Sequence, residues 1–115
     1  MRSVNFVVIS LNVAYGFSFE AGQKVSEELE RRGADWWQFL NPDSFIAFFA
    51  SDRDGKTRAD RCRIALQSLR PRHECLRELR FGEAEGPLIA AFDWRGRITA
   101  MPLGGASNEA MRRRG

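Results

Sequence analysis

Strand-like and helix-like segments alternate along this chain in an order that few folds accommodate. Residues 5–14 are rich in β-branched and aromatic types, which predicts a mostly buried strand. A helix is predicted next, because Ala21, Val25 and Leu29 recur four residues apart and so share one face. Gly33 suits the position just after the last helical turn. The chain therefore opens with a strand followed by an amphipathic helix.

The middle of the chain predicts a hairpin and a second helix. Two apolar, aromatic-rich strands are expected over residues 36–40 and 45–50. Residues 41–44 between them contain Asn-Pro-Asp, which is strong turn chemistry. A helix is then predicted over residues 57–69, with Pro71 just past its end.

The last third adds one strand, a hairpin and a short helix. A strand is predicted over residues 75–81, a hairpin over 87–94 and 97–103, and a short helix over 108–114. The main elements therefore follow the order β-α-β-β-α-β. This order predicts an α+β fold of ferredoxin-like type, in which two helices cover one face of an antiparallel sheet. The C-terminal hairpin and short helix are additions to that fold.

Length and composition predict one soluble domain. The 115 residues suffice for a single domain over residues 1–115. The formal net charge is +3, and acidic residues are interleaved with the arginines, so we expect a solvated surface and no nucleic-acid partner. No signal peptide and no stretch long enough to span a bilayer is visible. We therefore expect a cytoplasmic protein without a membrane partner, in which Cys62 and Cys75 are reduced thiols.

Large apolar side chains fall on both faces of the predicted central hairpin. They are Trp36, Trp37, Phe39, Phe45, Phe48 and Phe49. Two helices can cover only one face of such a sheet. Either the C-terminal hairpin folds over the other face, or a second subunit covers it. We expect a homodimer through this aromatic hairpin face.

Taken one at a time, few residues point to chemistry. His73 is the only histidine, and its polar neighbours indicate a solvated loop position. Asp43 lies at a hairpin tip, where aspartate commonly serves local hydrogen bonding. Gly104 and Gly105 precede a short helix, where their backbone N–H groups can meet a phosphate or simply form a turn. We take these two glycines as the candidate ligand-binding residues.

Three segments taken together say more than any single residue. Residues 41–49 place an aspartate at the turn of an apolar hairpin, and residues 80–92 contain R-x-G-x-x-x-G-P before an apolar run. Residues 104–112 contain G-x-A-x-N-x-A-x-R, and residues 16–18, after the first strand, are Gly-Phe-Ser. In this order the segments resemble the class III adenylyl and guanylyl cyclases, and they cover most of the chain.

The resemblance implies roles for three side chains. Asp43 would match one of two aspartates that bind Mg²⁺ or Mn²⁺, ions that activate the ribose hydroxyl and clamp the triphosphate. Asn108 would match the asparagine that orients the ribose. Arg112 would match the arginine that stabilises charge on the phosphoryl oxygens. Asn108 and Arg112 are four residues apart and would share one helix face.

The resemblance is incomplete at the metal and base-reading positions. The other metal-binding aspartate would lie near Asn12 or Val13, where the chain has no carboxylate. Phe39 stands where a purine-reading lysine would be, and Met101 occupies the second purine-reading position. Apolar residues remove the hydrogen bonds that read a base.

These departures predict a non-catalytic nucleotide-cyclase-like module that acts in signalling by dimerisation or by binding a nucleotide or protein. No cofactor is expected, and Mg²⁺ or Mn²⁺ is required only if the nucleotide site is functional. One alternative is a metal-dependent cyclase whose missing carboxylate comes from Asp52, Asp54 or Asp93. A second alternative is a single-stranded nucleic-acid-binding module that stacks bases on Trp36, Trp37 and Phe39.

Overall fold

Four strands and three helices make up the fold. The computed structural model describes residues 1–13, 19–41 and 43–114. In chain order the elements are β1 (Arg2–Val13), α1 (Phe19–Arg31), β2 (Trp36–Asn41), β3 (Ser44–Ala50), α2 (Gly55–Leu69), β4 (Leu79–Ala90) and α3 (Gly105–Arg113). Single turns of 3-10 helix cover Ser51–Arg53, Arg70–Arg72 and Glu74–Leu76.

The strands form one antiparallel sheet in the order β2-β3-β1-β4. Strand β1 lies inside the sheet, and Val8 is paired with Phe48 of β3 on one side and Ala84 of β4 on the other. This order, with α1 and α2 as the crossovers, is the split βαβ arrangement. The α+β, ferredoxin-like fold predicted from the sequence is confirmed.

Helices α1 and α2 cover one face of the sheet. Alternate residues of β1, from Val7 to Val13, face this side and are buried. Ala21, Val25 and Leu29 of α1 are buried in the same cluster, as the four-residue spacing predicted. Gly33 has φ +73°, the left-handed conformation expected of a residue that ends a helix.

The opposite face is covered by the chain itself. Phe6, Phe48 and Leu88 of the sheet pack in a second buried cluster with Ala110 of α3. The rings of Phe6 and Phe48 meet edge to face, with centroids 6.2 Å apart. Residues 92–101 contribute further apolar side chains to this cluster. The C-terminal segment therefore provides the cover that the sequence left open, and all of β3 is buried.

Strand β4 differs most from its prediction. The strand expected over residues 75–81 begins only at Leu79, because residues 74–76 form a 3-10 turn. It then continues through Pro87 to Ala90, since all twelve of its residues pair with β1. Pro87 is tolerated because β4 is an edge strand, where a missing N–H breaks no second ladder. The predicted C-terminal hairpin reduces to two isolated bridges, Ile89–Leu103 and Phe92–Ile98.

The helix boundaries also move towards the N-terminus. Helix α2 begins at Gly55 and α3 at Gly105, where the sequence predicted starts at Thr57 and Asn108. A side chain at Gly55 would overlap the carbonyl groups of Phe49 and Ala50, so the helix begins where the backbone comes closest. The Gly-Phe-Ser element over residues 16–18 lies outside the described residues. No helix in the described ranges is long and apolar enough to cross a membrane.

Both cysteines are free thiols. Cys62 of α2 is buried in the helix-side core, and Cys75 is partly buried in the turn before β4. Burial raises the pKa of the Cys62 thiol from 9.0 to about 12, and the nearby Glu28 carboxylate adds to this rise. Burial also raises the pKa of Cys75. The reduced state of both thiols stays a prediction.

We expect Gly82→Ala to destabilise the fold by about 2 kcal/mol through overpacking. A methyl group at Gly82 would overlap the Ala110 carbonyl and the Arg114 amide, which are backbone groups at the end of α3. Gly105→Ala is the control, because no atom lies within 4 Å of its added methyl group. Urea unfolding of both variants checks this. Equal losses in the two variants would contradict close docking of α3 on β4.

We expect Cys62 to make the fold less stable in alkaline solution. A folded-state pKa above the unfolded value favours the folded protein below pH 9, and this advantage disappears as pH rises towards 12. Relative to a Cys62→Ala variant, the wild-type chain should lose about 1.4 kcal/mol for each pH unit above 9. Urea unfolding across that window measures the loss, and Cys75→Ala, which leaves the buried Cys62 thiol in place, should keep the steep alkaline loss. Parallel pH profiles for the wild type and Cys62→Ala would refute the raised pKa.

Candidate functional site

Asp43 lies beside the C-terminal end of β1. The Val13 backbone N–H donates to the Asp43 carbonyl at 2.9 Å, which joins the hairpin tip to the last residue of the strand. The Asp43 backbone N–H donates to the Asn41 Oδ1 at 3.1 Å, an Asx-type bond that closes the tip. The half-buried Asp43 therefore lies next to the end of β1, where the sequence resemblance predicted the second metal-binding aspartate.

A neutral polar pair occupies the neighbouring positions of β1 and β3. Asn12 and Ser44 are paired in the ladder, and the Asn12 Nδ2 donates to the Ser44 Oγ at 3.1 Å. Ser44 is buried, and so is Val13, which packs in the helix-side core. The end of β1 thus presents an amide bound to a hydroxyl.

Asn108 and Arg112 lie on the outer side of α3. Ala110 is buried against the sheet, and the Ala106 Cβ comes close to Gly86 of β4. Asn108 is exposed, and the Arg112 side chain is 76% exposed and ion-paired with Glu109 on its own helix. Asn108 and Arg112 therefore share one helix face, as their four-residue spacing predicted, and this face points towards solvent.

Asp43 is not bonded to Asn108 or Arg112 in the part of the chain that the structure describes. Over residues 1–13, 19–41 and 43–114, no hydrogen bond or ion pair joins Asp43 to Asn108 or Arg112. Asp43 belongs to the β2–β3 turn, whereas Asn108 and Arg112 lie on the solvent-facing side of α3.

Gly104 and Gly105 differ in their surroundings. A side chain at Gly104 would overlap Leu88 and approach the Pro87 carbonyl to 3.0 Å, so this glycine allows close packing on β4. Gly105 is open to solvent. The groove beside it, about 360 Å³ in volume, is lined by the carboxylates of Glu85 and Glu109 as well as by Arg113. The two carboxylates would repel a phosphate in this groove. The assignment of Gly104 and Gly105 to ligand binding stays a prediction.

Sequence analysis assigned no role to Arg113 and Arg114 at the end of the chain. Arg114 Nη1 donates to the Oγ of buried Ser10 at 2.9 Å, and Arg113 Nη1 donates to the Glu83 carbonyl at 3.0 Å. These bonds tie the end of α3 to β1 and β4. No sequence pattern signals them, because Arg114 and Ser10 are 104 residues apart.

The fold of this chain is similar to that of several solved nucleotide cyclase domains. The chain is similar to the guanylate cyclase domain of RhGC from Catenaria anguillulae in complex with GTP, with a TM-score of 0.72 and 13% identity over 97% of this chain and 73% of that one. For the catalytic core of a rhodopsin-guanylyl cyclase with converted specificity, in complex with ATPalphaS, the TM-score is 0.71 at 12% identity over 96% and 72%. For the adenylyl cyclase CyaB from P. aeruginosa these values are 0.68, 16%, 96% and 71%.

The chain has the fold of a nucleotide cyclase catalytic domain. The resemblance suggested by the three sequence segments is thus confirmed at the level of the fold. No protein-family model matches the sequence, and no curated protein is significantly similar to it.

The residues at the end of β1 do not fit the pair of divalent ions that the cyclase resemblance implies. Mg²⁺ and Mn²⁺ prefer several charged or strongly polar oxygen ligands. Here Asp43 is accompanied by Asn12 and Ser44, which bond to each other. In the part of the chain that the structure describes, no three His, Cys, Asp or Glu side chains are grouped to hold a metal.

The positions to which the resemblance assigns base reading are apolar in the structure as well. The Phe39 ring lies against the rings of Trp37 and Phe45, with centroids 5.9 and 4.6 Å away. Met101 packs against the core beneath α3. Neither side chain offers a purine a hydrogen-bond partner comparable to an amine or carboxylate.

Proposed function

We propose that the chain is a catalytically silent nucleotide-cyclase-like module that acts as a homodimer in signalling. The observation that carries the proposal is the bond from the Asn12 amide to the Ser44 hydroxyl at the end of β1. In an active cyclase of the class that this chain resembles, the position of Asn12 or Val13 would carry a carboxylate that binds a divalent ion. An amide already engaged with a neighbouring hydroxyl is a poor ligand for a hard cation.

Distance argues against the alternative of a reorganised metal site. Asp52 and Asp54 follow the C-terminal end of β3, whereas Asp43 precedes its N-terminal end. Seven residues of strand separate these ends, a span of about 20 Å. Asp93 accepts hydrogen bonds from the backbone N–H groups of Arg97 and Arg95, and these bonds lower its pKa. Asp52 and Asp54 are therefore too far from Asp43 to share a metal site with it, and the Asp93 carboxylate is engaged by its own turn.

The tryptophans proposed for base stacking are engaged within the chain. The Trp36 Nε1 donates to the Gln38 Oε1 at 2.9 Å, and the Trp37 Nε1 donates to the Glu30 Oε1 at 2.5 Å. Both residues are half-buried. A carboxylate next to Trp37 also repels a phosphate backbone. These contacts disfavour the single-stranded nucleic-acid reading.

The edge of the sheet at β2 supports dimerisation. Strand β2 is an edge strand, and Phe39 on it remains 44% exposed. Phe19 of α1 is 76% exposed and lines an apolar groove together with Phe39. A second copy presents the same groove and aromatic rings, so a two-fold contact would bury both sets. The proposed dimer interface is therefore smaller than the aromatic hairpin face predicted from the sequence, because β3 is buried and only the outer strand, β2, remains available.

We expect no pyrophosphate release from ATP or GTP in the presence of Mn²⁺. With one carboxylate at the end of β1, the chain lacks the ligands that two-metal chemistry requires. A coupled pyrophosphate assay measures this, and Asp43→Asn serves as the matched background. Manganese-dependent release that disappears in Asp43→Asn and in Arg112→Ala would show an active cyclase and end the proposal.

We expect the chain to be a dimer in solution and Phe39→Lys to weaken that dimer at least about tenfold, as loss of an aromatic anchor does. Sedimentation equilibrium measures the dissociation constant. Ile64→Lys is the control, because Ile64 is 60% exposed on α2, away from β2. Circular dichroism checks that both variants remain folded. A monomeric wild type, or equal weakening in both variants, would rule out this interface.

A further inference from the structure

A cleft opens at the end of the sheet opposite Asp43. It lies between the start of β1, the end of β3 and the C-terminal segment, and has a volume of about 210 Å³. Three arginines line it, Arg2, Arg53 and Arg97. Because seven residues of β3 separate this end of the sheet from the Asp43 turn, the cleft is independent of the proposed cyclase-like site.

Two of these arginines have no acidic partner. The Arg2 guanidinium lies over the Phe92 ring at 4.4 Å and makes no hydrogen bond or ion pair with the described residues. Arg53 donates from Nη2 to the Gly96 carbonyl at 3.3 Å, and no carboxylate of the described chain pairs with it. Arg97 is paired with Asp93 at 3.4 Å. Two guanidinium groups therefore face the cleft with donors to spare.

The carboxylates of the cleft leave a positive surplus. Asp35 accepts hydrogen bonds from Arg58 Nη2 at 2.8 Å and from the Ala50 backbone N–H at 2.7 Å, so its charge is balanced inside the protein. Asp52 is exposed and has no ion-pair partner among the described residues. The unpaired guanidinium groups of Arg2 and Arg53 and the unpaired carboxylate of Asp52 together give the cleft a net charge of +1. A singly charged anion would neutralise the cleft, whereas a doubly charged phosphate would leave an excess of negative charge.

The rest of the lining is apolar. Val4, Phe92 and Ile98 form the walls between the arginines. A volume of 210 Å³ is below the range usual for drug-sized ligands, so the occupant is a small molecule. An apolar body would remain against these walls while a planar carboxylate meets the guanidinium donors.

We infer that this cleft binds a small organic carboxylate with an apolar body. Arg2 and Arg53 hold the carboxylate group, and Phe92 with Ile98 contacts the body. Arg53 also bonds the Gly96 carbonyl, so the ligand connects the turn after β3 to the C-terminal segment.

Benzoate is the probe, followed by amide chemical shifts of the full chain. Benzoate should cause saturable shifts at residues 92–98, and benzamide, its uncharged analogue, should not. Arg53→Gln should raise the benzoate dissociation constant about tenfold, the loss expected for one charge-assisted pair. Arg53→Lys, which keeps the charge, should retain part of the affinity. Unchanged amide spectra of both free variants show that the fold is intact.

Arg95→Gln is the matched control. Arg95 precedes Gly96, whose carbonyl Arg53 contacts, but the Arg95 guanidinium lies over the Trp94 ring at 4.6 Å and does not line the cleft. Benzoate affinity should change less than about twofold in this variant, because distant exposed charges are screened. Equal binding of benzamide, equal weakening in Arg95→Gln, or no saturable shift with benzoate would overturn the inference. Tighter binding of phenyl phosphate than of benzoate would also overturn it.

Discussion

Strand β1 is buried on both faces, and each half of the molecule packs on it. Its pleat directs Val7 and the alternate residues after it towards α1 and α2, while Phe6 and Val8 face α3 and the C-terminal segment. It also bonds to β3 on one side and to β4 along its entire length on the other. A polar substitution in its middle would therefore expose one of two cores to an unpaired group, at a cost of about 1–3 kcal/mol before any packing loss. The two helical layers, the hairpin and the terminal helix are all held through this strand.

The same strand determines the chemistry at its end. An active cyclase-like site would place carboxylates close together there, and such groups repel each other unless a cation lies between them. In this chain Asn12 and Ser44 satisfy each other instead, and Val13 is buried on the opposite face. This pair needs no metal, because the Asn12 amide N–H and the Ser44 hydroxyl oxygen are already partners. A single carboxylate at this end of the sheet is thus consistent with the proposed non-catalytic role.

Local patterns predicted the elements whose stabilising contacts are local. Helix α1 followed from its four-residue spacing and Gly33, and the hairpin followed from the turn chemistry at Asp43. The length of β4 did not follow from its own residues, because a twelve-residue ladder with β1 outweighs the turn tendency of Pro87. The cover of the second face and the Arg114–Ser10 bond depend on contacts across the whole chain, so no local pattern reports them. For the candidate site, the sequence predicted Asp43, Asn108 and Arg112, but it could not show which surfaces these residues occupy.

Helix α3 connects the stability of the fold to its surface. Gly82 lets the end of the helix approach the backbone of β4, and Arg114 ties that end to buried Ser10. With Ala110 held against the sheet, the rotation of the helix about its axis is determined, and Asn108 and Arg112 must then face outwards. Side chains that leave the surface in this way cannot act on Asp43 of the same chain, but they can meet another molecule. The packing that completes the core thus makes any joint role of the three residues depend on a second copy, which connects the proposed function to the state of assembly.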